Sequence, residues 1–287
     1  YDDFWKSRNL RPHLKAIKPA VMVVGGWYDA ENLFGALETY KTIEANQPAD
    51  RNMLVMGPWI HGGWSRSDGE SLGAIAFGSK TAAFYRDQIE FPFFEHYLKD
   101  QGMLSHPEAW IFETGRNLWK QYDQWPPAES DPRELFLRAG GGLSFAAKAA
   151  ADEPAFSEYL SDPSRPVPFQ QRITTGMSVE YMIDDQRHAS RRPDVLVFQT
   201  EPLSSDVTVA GPIDVNLVVS TSGTDSDFVV KVIDVHPDDA PDPSPGTAAA
   251  TAAAVSPLGG YQQLVRGDTM RGKFRESFST PKPFQPN

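Results

Sequence analysis

Residues 20–63 read AVMVVGGWYDAENLFGALETYKTIEANQPADRNMLVMGPWIHGG, and they carry the clearest structural signal in the chain. Two short runs at residues 20–24 and 52–56 are rich in apolar and β-branched residues and are followed by glycine, as strands of a covered parallel sheet are. Between them, residues 33–43 place apolar side chains at helical spacing. The order strand, helix, strand predicts one βαβ unit.

Each predicted strand leads into a loop with one side chain suited to acid–base chemistry. Asp29 follows the first strand, and His61 follows the second. In α/β-hydrolases the triad acid precedes the histidine along the chain, and this order is kept here. A neutral imidazole takes the nucleophile's proton, while a carboxylate on its other nitrogen fixes the tautomer. The pattern therefore predicts Asp29 as a triad acid and His61 as a triad base.

Both residues also have an ordinary structural interpretation. An Asp between a strand and a helix commonly caps the helix by accepting a backbone N–H, and Asp29 is in that position. A loop histidine such as His61 commonly bonds a backbone carbonyl. For either residue alone the structural interpretation is the more common one. Their order on one βαβ unit, together with the wider resemblance described below, favours the catalytic interpretation.

The sequence contains no recognisable motif for the nucleophile of such a triad. No Gly-x-Ser-x-Gly elbow occurs, and the nearest imitation, residues 142–146, lies after the histidine and lacks the second glycine. We therefore expect the serine to lie in a segment that precedes Tyr1.

Several motifs spread over nearly the whole chain resemble those of one enzyme family. They are YDDFW at residues 1–5, GWYD at 26–29, GPWIHG at 57–62, FFEHYLK at 93–99, RPDVL at 192–196, DSDF at 225–228 and VRG at 265–267. In this order they resemble the group of cocaine esterase, glutaryl-cephalosporin acylase and α-amino-acid ester hydrolase. These serine hydrolases are related to the X-prolyl dipeptidyl peptidases.

The resemblance implies a fold of α/β plus all-β class. Residues 1–105 are expected to form the C-terminal part of an α/β-hydrolase domain, and residues 106–287 a jelly-roll β-sandwich. The elbow serine, its neighbouring oxyanion-hole tyrosine and most of a helical cap are expected before Tyr1, and the last sandwich strands after Asn287.

The resemblance also implies an activity. It is the cleavage of acyl esters or amides by a Ser-His-Asp mechanism, with no cofactor. The 32-residue separation of Asp29 and His61 fits the ester-hydrolase and acylase branch better than the shorter spacing in cocaine esterase. The alternatives are a non-catalytic jelly-roll binding fragment and a pseudoenzyme.

Side chains near the two loops are candidates for substrate binding. Four aromatic residues are expected either to line an acyl pocket or to pack the strand ends, and they are Trp27, Tyr28, Trp59 and Trp64. For Trp59 the packing interpretation is favoured. The resemblance suggests that Asp2 and Asp3 hold the ammonium group of an amino-acyl substrate, and a solvated helix end is the alternative.

Composition narrows the range of partners. The net charge of −11 and the scattered basic residues disfavour nucleic acid, and no apolar run approaches the ~18 residues of a membrane span. The absence of cysteine excludes disulfides and thiolate sites, and the histidines lack paired metal spacing, so no metal is expected. The expected partner is a small ester or amide, a homo-oligomer is compatible with the resemblance, and the cellular compartment is left open.

Beyond the first strands, the pattern changes along the chain. Residues 81–100 predict a long helix with a kink at Pro92. Short β-rich runs predict the strands of the sandwich at residues 109–112, 134–137, 195–198, 215–219 and 228–232. Residues 238–260, rich in Pro and Ala, predict a flexible loop between strands.

Overall fold

The structure is a computed structural model that describes residues 1–46, 51–102, 107–146 and 156–287. The helices are α1 (Asp3–Lys6), α2 (Leu33–Asn46), α3 (Gly63–Arg66), α4 (Thr81–Tyr85), α5 (Phe91–Lys99), α6 (Arg187–Ser190) and α7 (Ala248–Ala253). The strands are β1 (Val21–Gly26), β2 (Asn52–Gly57), β3 (Ser71–Leu72), β4 (Ile75–Ala76), β5 (Ala109–Glu113), β6 (Leu118–Tyr122), β7 (Phe136–Leu137), β8 (Leu143–Ser144), β9 (Asp227–Val235) and β10 (Gln262–Arg271). None of the described helices is long and apolar enough to cross a membrane.

A four-stranded sheet with the order β1-β2-β5-β6 organises the first part of the chain. Strands β1, β2 and β5 run parallel, and β6 is antiparallel to β5. Helix α2 connects β1 to β2, which confirms the predicted βαβ unit. The register pairs Gly26 with Gly57, so the carboxyl ends of β1 and β2 lie side by side.

Both faces of this sheet are covered by apolar side chains. Along β2, Leu54 and Met56 belong to one cluster with Tyr40 of α2, while Met53 and Val55 belong to a second cluster on the other face. Successive strand residues point to opposite faces, so an uninterrupted apolar run is what a strand buried on both sides requires.

Strand β5 corrects one expectation about the second part of the chain. We expected it to start the sandwich, but it pairs in parallel with β2, with Ala109 opposite Leu54. Its residues Ile111 and Phe112 are buried in clusters on different faces, as in a covered parallel strand. The expected boundary between residues 105 and 106 falls outside the described residues.

The predicted long helix is present as α4, a π-helical turn at Arg86–Glu90, and α5. Pro92 lies in the first turn of α5, directly after the π turn. The ring of proline crowds the carbonyl four residues earlier, and a wider turn before it gives the ring more room. The helix therefore continues past Pro92 to Lys99, and the C-cap Asp100 has a left-handed φ of 52°.

The predicted sandwich strands are only partly present in the described residues. Residues 228–232 lie in β9, which forms a long antiparallel hairpin with β10. In contrast, residues 195–198 and 215–219 form no strand, and most of their apolar side chains, including Leu196 and Val218, are exposed. High β-propensity means that a side chain fits on a sheet. A strand also needs a neighbouring strand to pair with, and propensity does not supply one.

The Ala-rich segment was predicted to be a flexible loop, and this prediction is wrong for α7. Thr247 caps the helix by accepting the N–H of Ala250 at 3.1 Å. Ala249 and Ala253 are 1% exposed, and Ala253 packs in a cluster with Ala74, close to β3. Alanine favours helix, and its small side chain allows this close approach. The lack of large apolar side chains therefore did not prevent burial.

Exchange of Ala253 for leucine is expected to lower the free energy of unfolding by about 1–3 kcal/mol, because a buried contact surface has no room for three more carbons. Urea denaturation measures the effect. The matched control is Ala248→Leu in the same helix, where the side chain is exposed and little change is expected. Equal stability of the two variants would contradict the described packing of α7.

Candidate active site

Asp29 and His61 meet at the carboxyl edge of the sheet, although 32 residues separate them. His61 Nδ1 lies 3.0 Å from Asp29 Oδ2. The carboxylate is 2% exposed, whereas the imidazole is 45% exposed. Among the described residues Nε2 of His61 has no hydrogen-bond partner. This nitrogen is therefore free to exchange a proton with a group from outside.

The second oxygen of Asp29 holds the carboxylate in place. Oδ1 accepts the backbone N–H of Glu31 at 2.8 Å and that of Asn32 at 2.9 Å, just before α2 begins. The capping interpretation and the triad interpretation therefore apply to different oxygens of the same side chain. Two backbone donors fix the plane of the carboxylate, so Oδ2 is left directed at His61.

Glycines allow the two loops to approach each other. The N–H of Trp27 donates to the carbonyl of Gly57 at 2.9 Å, and the N–H of Tyr28 donates to the carbonyl of Trp59 at 3.1 Å. A Cβ on Gly26 would clash with the Trp59 backbone, and a Cβ on Gly57 would clash with the Trp59 ring. Absence of a side chain at both strand ends is thus what brings Asp29 and His61 within reach.

The two tryptophans that follow β2 have different environments. Trp59 is 2% exposed, and its Nε1 donates to Thr81 Oγ1 at 2.9 Å. This places Trp59 in the core, as the packing interpretation held, and not at a pocket wall. Trp64 is half-buried, and its ring lies edge-on to the His61 imidazole with centroids 6.5 Å apart. Of the two, Trp64 is the one beside the imidazole.

The aromatic residues before the acid are also tied into the fold. Trp27 is half-buried, and its Nε1 donates to the carbonyl of Phe112 at 3.0 Å. Tyr28 is 5% exposed, and its ring stacks on Phe77 with centroids 6.4 Å apart. Tyr28 also packs in one cluster with Met182 and Ile183, which lie far from it in the sequence. No local pattern in the sequence indicated these two partners.

Asp2 and Asp3 form the start of the exposed helix α1. Asp2 accepts the N–H of Trp5 at 3.4 Å as the N-cap, and Asp3 forms an ion pair with Lys6 at 3.5 Å. Among the described residues, the partners of both carboxylates thus belong to their own helix. This is the geometry of a solvated helix end, and a role in binding an ammonium group stays a prediction.

The described part of the chain offers no cluster of three or more His, Cys, Asp or Glu side chains arranged as metal ligands.

What the Asp29–His61 pair offers is proton transfer. The carboxylate holds the proton of Nδ1, which leaves the lone pair of Nε2 on the exposed side of the ring. The pair can act as a general base and then as a general acid, and it needs a nucleophile within reach of Nε2.

Comparison with solved structures gives the same architecture. The chain superposes over its full length on an α-amino acid ester hydrolase, with 38% sequence identity and a TM-score of 0.90. It also superposes over its full length on an aminopeptidase from a marine sediment archaeon, Thaumarchaeota archaeon, with 38% identity and a TM-score of 0.85. It covers 47% and 46% of those two chains. The fold is therefore that of chains related to α/β-hydrolases.

Comparison with known protein sequences also finds an esterase. Cocaine esterase of Rhodococcus sp. (strain MB1 Bresler) is 28% identical over 250 residues, which is 83% of this chain and 42% of that protein. The chain thus spans less than half the length of the relatives it matches.

Two family models match the chain. Residues 1–63, which include Asp29 and His61, match the X-Pro dipeptidyl-peptidase of the S15 family. Residues 100–287 match the X-Pro dipeptidyl-peptidase C-terminal non-catalytic domain, and this match alone covers well over half of the chain. The chain belongs to the X-Pro dipeptidyl-peptidase and serine esterase family, and it matches the C-terminal part of that family.

Proposed function

We propose that this chain supplies the acid and the base of a Ser-His-Asp triad in a hydrolase that cleaves acyl esters or amides. The observation that carries the proposal is the 3.0 Å contact between His61 Nδ1 and the buried Asp29 carboxylate, which also accepts two backbone N–H groups. This is the arrangement that fixes the imidazole tautomer in serine hydrolases. The serine belongs to a segment that precedes Tyr1 in the complete polypeptide.

The proposed reaction proceeds in two halves. The serine hydroxyl passes its proton to His61 Nε2 as its oxygen attacks the acyl carbon, and Asp29 stabilises the resulting imidazolium. The imidazolium then gives the proton to the leaving alcohol or amine, so the acyl group is left on the serine. Water repeats the sequence through the same nitrogen, and it releases the carboxylic acid and the free serine.

The relatives support the substrate class. By their names, they include an esterase, an amino acid ester hydrolase and an aminopeptidase, which all act at ester or amide bonds. The substrate proposed for the complete protein is a small acyl ester or amide, of the type used by α-amino-acid ester hydrolases or glutaryl-cephalosporin acylases. Trp64, whose ring lies beside the imidazole, is the aromatic side chain proposed to contact the acyl group.

Pre-steady-state hydrolysis of a p-nitrophenyl ester by the complete protein tests the mechanism. Because the first half releases the alcohol before the acyl-serine is hydrolysed, we expect a burst of p-nitrophenol of about one equivalent per protein. A linear time course no faster than that of a His61→Ala variant would contradict a covalent serine mechanism.

Residues 100–287 have a second proposed role, because their family is described as non-catalytic. We propose that this part completes a jelly-roll β-sandwich around the β9–β10 hairpin. Such sandwiches commonly bind carbohydrate, so a binding function is the alternative to a purely structural one. Titration with oligosaccharides monitored by tryptophan fluorescence separates the two, since only a binding module gives a saturable change.

A further inference from the structure

Arg86 opens the π-helical turn and reaches back to the loop that follows His61. Its Nη1 donates to the carbonyl of Trp64 at 2.7 Å and to the carbonyl of Ser67 at 2.9 Å. Its Nη2 lies 3.9 Å from Oδ1 of Asp68. The guanidinium therefore joins the long helix to the segment that carries the aromatic ring beside the imidazole.

The two carbonyls that Arg86 contacts belong to the end of α3, a helix of four residues whose C-cap is Ser67. The last carbonyls of a helix lack partners within it, and a basic side chain can supply them. Ser67 Oγ donates to the carbonyl of Gly63 at 3.0 Å, which is a contact inside the loop. Arg86, in contrast, comes from 22 and 19 residues further along the chain. Because so short a helix has few bonds of its own, a donor from outside fixes its position.

The helix that carries Arg86 is itself anchored to the end of β2. Trp59 Nε1 donates to Thr81 Oγ1 at 2.9 Å, and the Thr81 hydroxyl donates to the carbonyl of Gly69 at 2.7 Å. The Tyr85 side chain is 1% exposed, and its ring centroid lies 5.5 Å from that of Trp59. Arg86 follows Tyr85 directly, so its guanidinium extends from a fixed base.

Trp64 is the residue through which this contact reaches the active site. Its ring centroid lies 6.2 Å from that of Trp59 and 6.5 Å from that of His61. Since Trp59 is fixed in the core, the backbone position of Trp64 decides where its ring lies relative to the imidazole. The hydrogen bond from Arg86 to the Trp64 carbonyl fixes that backbone.

We propose that Arg86 is a positioning residue, whose hydrogen bonds to the end of α3 hold the Trp64 ring beside His61 and so set which acyl groups the site accepts. This inference rests on the proposed function, in which Trp64 contacts the acyl group. Arg86 touches no reacting atom, and its effect passes through Trp64. Each methylene that a pocket buries adds to kcat/KM, so a fixed aromatic wall distinguishes acyl esters by chain length.

The test is the ratio of kcat/KM for p-nitrophenyl butyrate to kcat/KM for p-nitrophenyl acetate, measured on the complete protein. Partial unfolding lowers both values alike, so this ratio reports the shape of the site and not the amount of folded protein. We expect Arg86→Met to lower the ratio by about five-fold or more, because Trp64 no longer packs on the longer acyl chain. The same result is expected for Arg86→Gln, which decides the question if the methionine variant does not fold.

Lys80→Met is the matched control for these exchanges. Lys80 Nζ donates to Oδ2 of Asp68 at 2.9 Å, so it holds the same loop by a different point of attachment. We expect the ratio in Lys80→Met to stay within about two-fold of that of the unchanged protein, as for a surface substitution. A fall as large as in Arg86→Met would assign the effect to general loosening of the loop and would overturn the proposal.

A double variant tests whether Arg86 acts through Trp64. Trp64→Ala should lower the ratio by itself, and addition of Arg86→Met should lower it no further. The proposal is overturned if Arg86→Met keeps the ratio of the unchanged protein, or if the two effects multiply in the double variant.

Fluorine NMR of the complete protein labelled with 5-fluorotryptophan separates this proposal from the proposed function. The Trp64 signal is identified by its loss in Trp64→Phe, and it reports the surroundings of the ring without any turnover. We expect this signal to move in Arg86→Met and to stay in place in Lys80→Met. If His61→Ala kept full turnover, the proposed function would fail. The fluorine signal would then decide the positioning role alone, and an unchanged signal in Arg86→Met would overturn it.

Discussion

Exchange of His61 for alanine in the complete protein is expected to lower kcat for an acyl ester by roughly 10⁴- to 10⁶-fold. In the proposed mechanism the imidazole takes the serine proton and later gives it to the leaving group, so its removal would affect both halves of the reaction. Almost half of the side chain is exposed, and alanine leaves the backbone of the loop unchanged. Folding should therefore be retained, and steady-state hydrolysis measures the effect directly.

His13 offers the control for this exchange. It is exposed in the short helical turn Arg11–His13 and belongs to neither triad loop. His13→Ala should keep kcat within about two-fold of the unchanged protein, as a surface substitution does. Turnover by His61→Ala within about ten-fold of this control would remove His61 from the mechanism.

Exchange of Asp29 for asparagine is the second large effect, with kcat expected to fall by roughly 10⁴-fold. The amide oxygen can still accept the N–H groups of Glu31 and Asn32, so the cap before α2 is kept. Its NH₂ group, however, would face Nδ1 of His61 as a donor. The imidazole must then carry its proton on Nε2, and in that tautomer it cannot take the proton of the serine.

Asp29→Ala separates the two functions of this carboxylate. It removes the cap as well as the contact with His61, so the free energy of unfolding should fall by about 1 kcal/mol more than in Asp29→Asn. Thermal denaturation and ester hydrolysis are measured on both variants. If Asp29→Asn retained both turnover and stability while Asp29→Ala lost stability, Asp29 would be a structural cap only.

The sequence predicted the part of the fold that depends on local periodicity. An apolar run before Gly25, helical spacing up to Ile43 and a second apolar run before Gly57 are enough to define β1, α2 and β2. Because parallel strands joined by a helix place their carboxyl ends at one edge, the residues that follow these strands had to lie near each other. The meeting of Asp29 with His61 follows from that geometry.

What the sequence did not predict depends on contacts between distant segments. The apolar pattern of β5 is compatible with either sheet, and only its pairing with β2 assigns it. The alanines of α7 lack the large side chains that mark a core, yet Ala249 and Ala253 are buried because a neighbouring surface fits them. Tyr28 packs in one cluster with Ile183, which lies far along the chain, so no local pattern could join them.

The candidate substrate residues show the same limit. Trp27, Tyr28, Trp59 and Trp64 are alike in sequence context, since each lies near a strand end. Their environments differ because of partners elsewhere, such as Thr81 for Trp59 and the imidazole of His61 for Trp64. Which aromatic ring faces a substrate is thus set by tertiary contacts, and the sequence alone left that choice open.

The most direct measurement is intact-mass spectrometry of the complete protein before and after reaction with a fluorophosphonate, followed by peptide mapping. We predict a mass well above 31.8 kDa, and one covalent adduct on a serine outside residues 1–287 that is lost in His61→Ala. An adduct on a serine within these residues, or the absence of any adduct, would contradict the claim that Asp29 and His61 serve a nucleophile from the preceding segment.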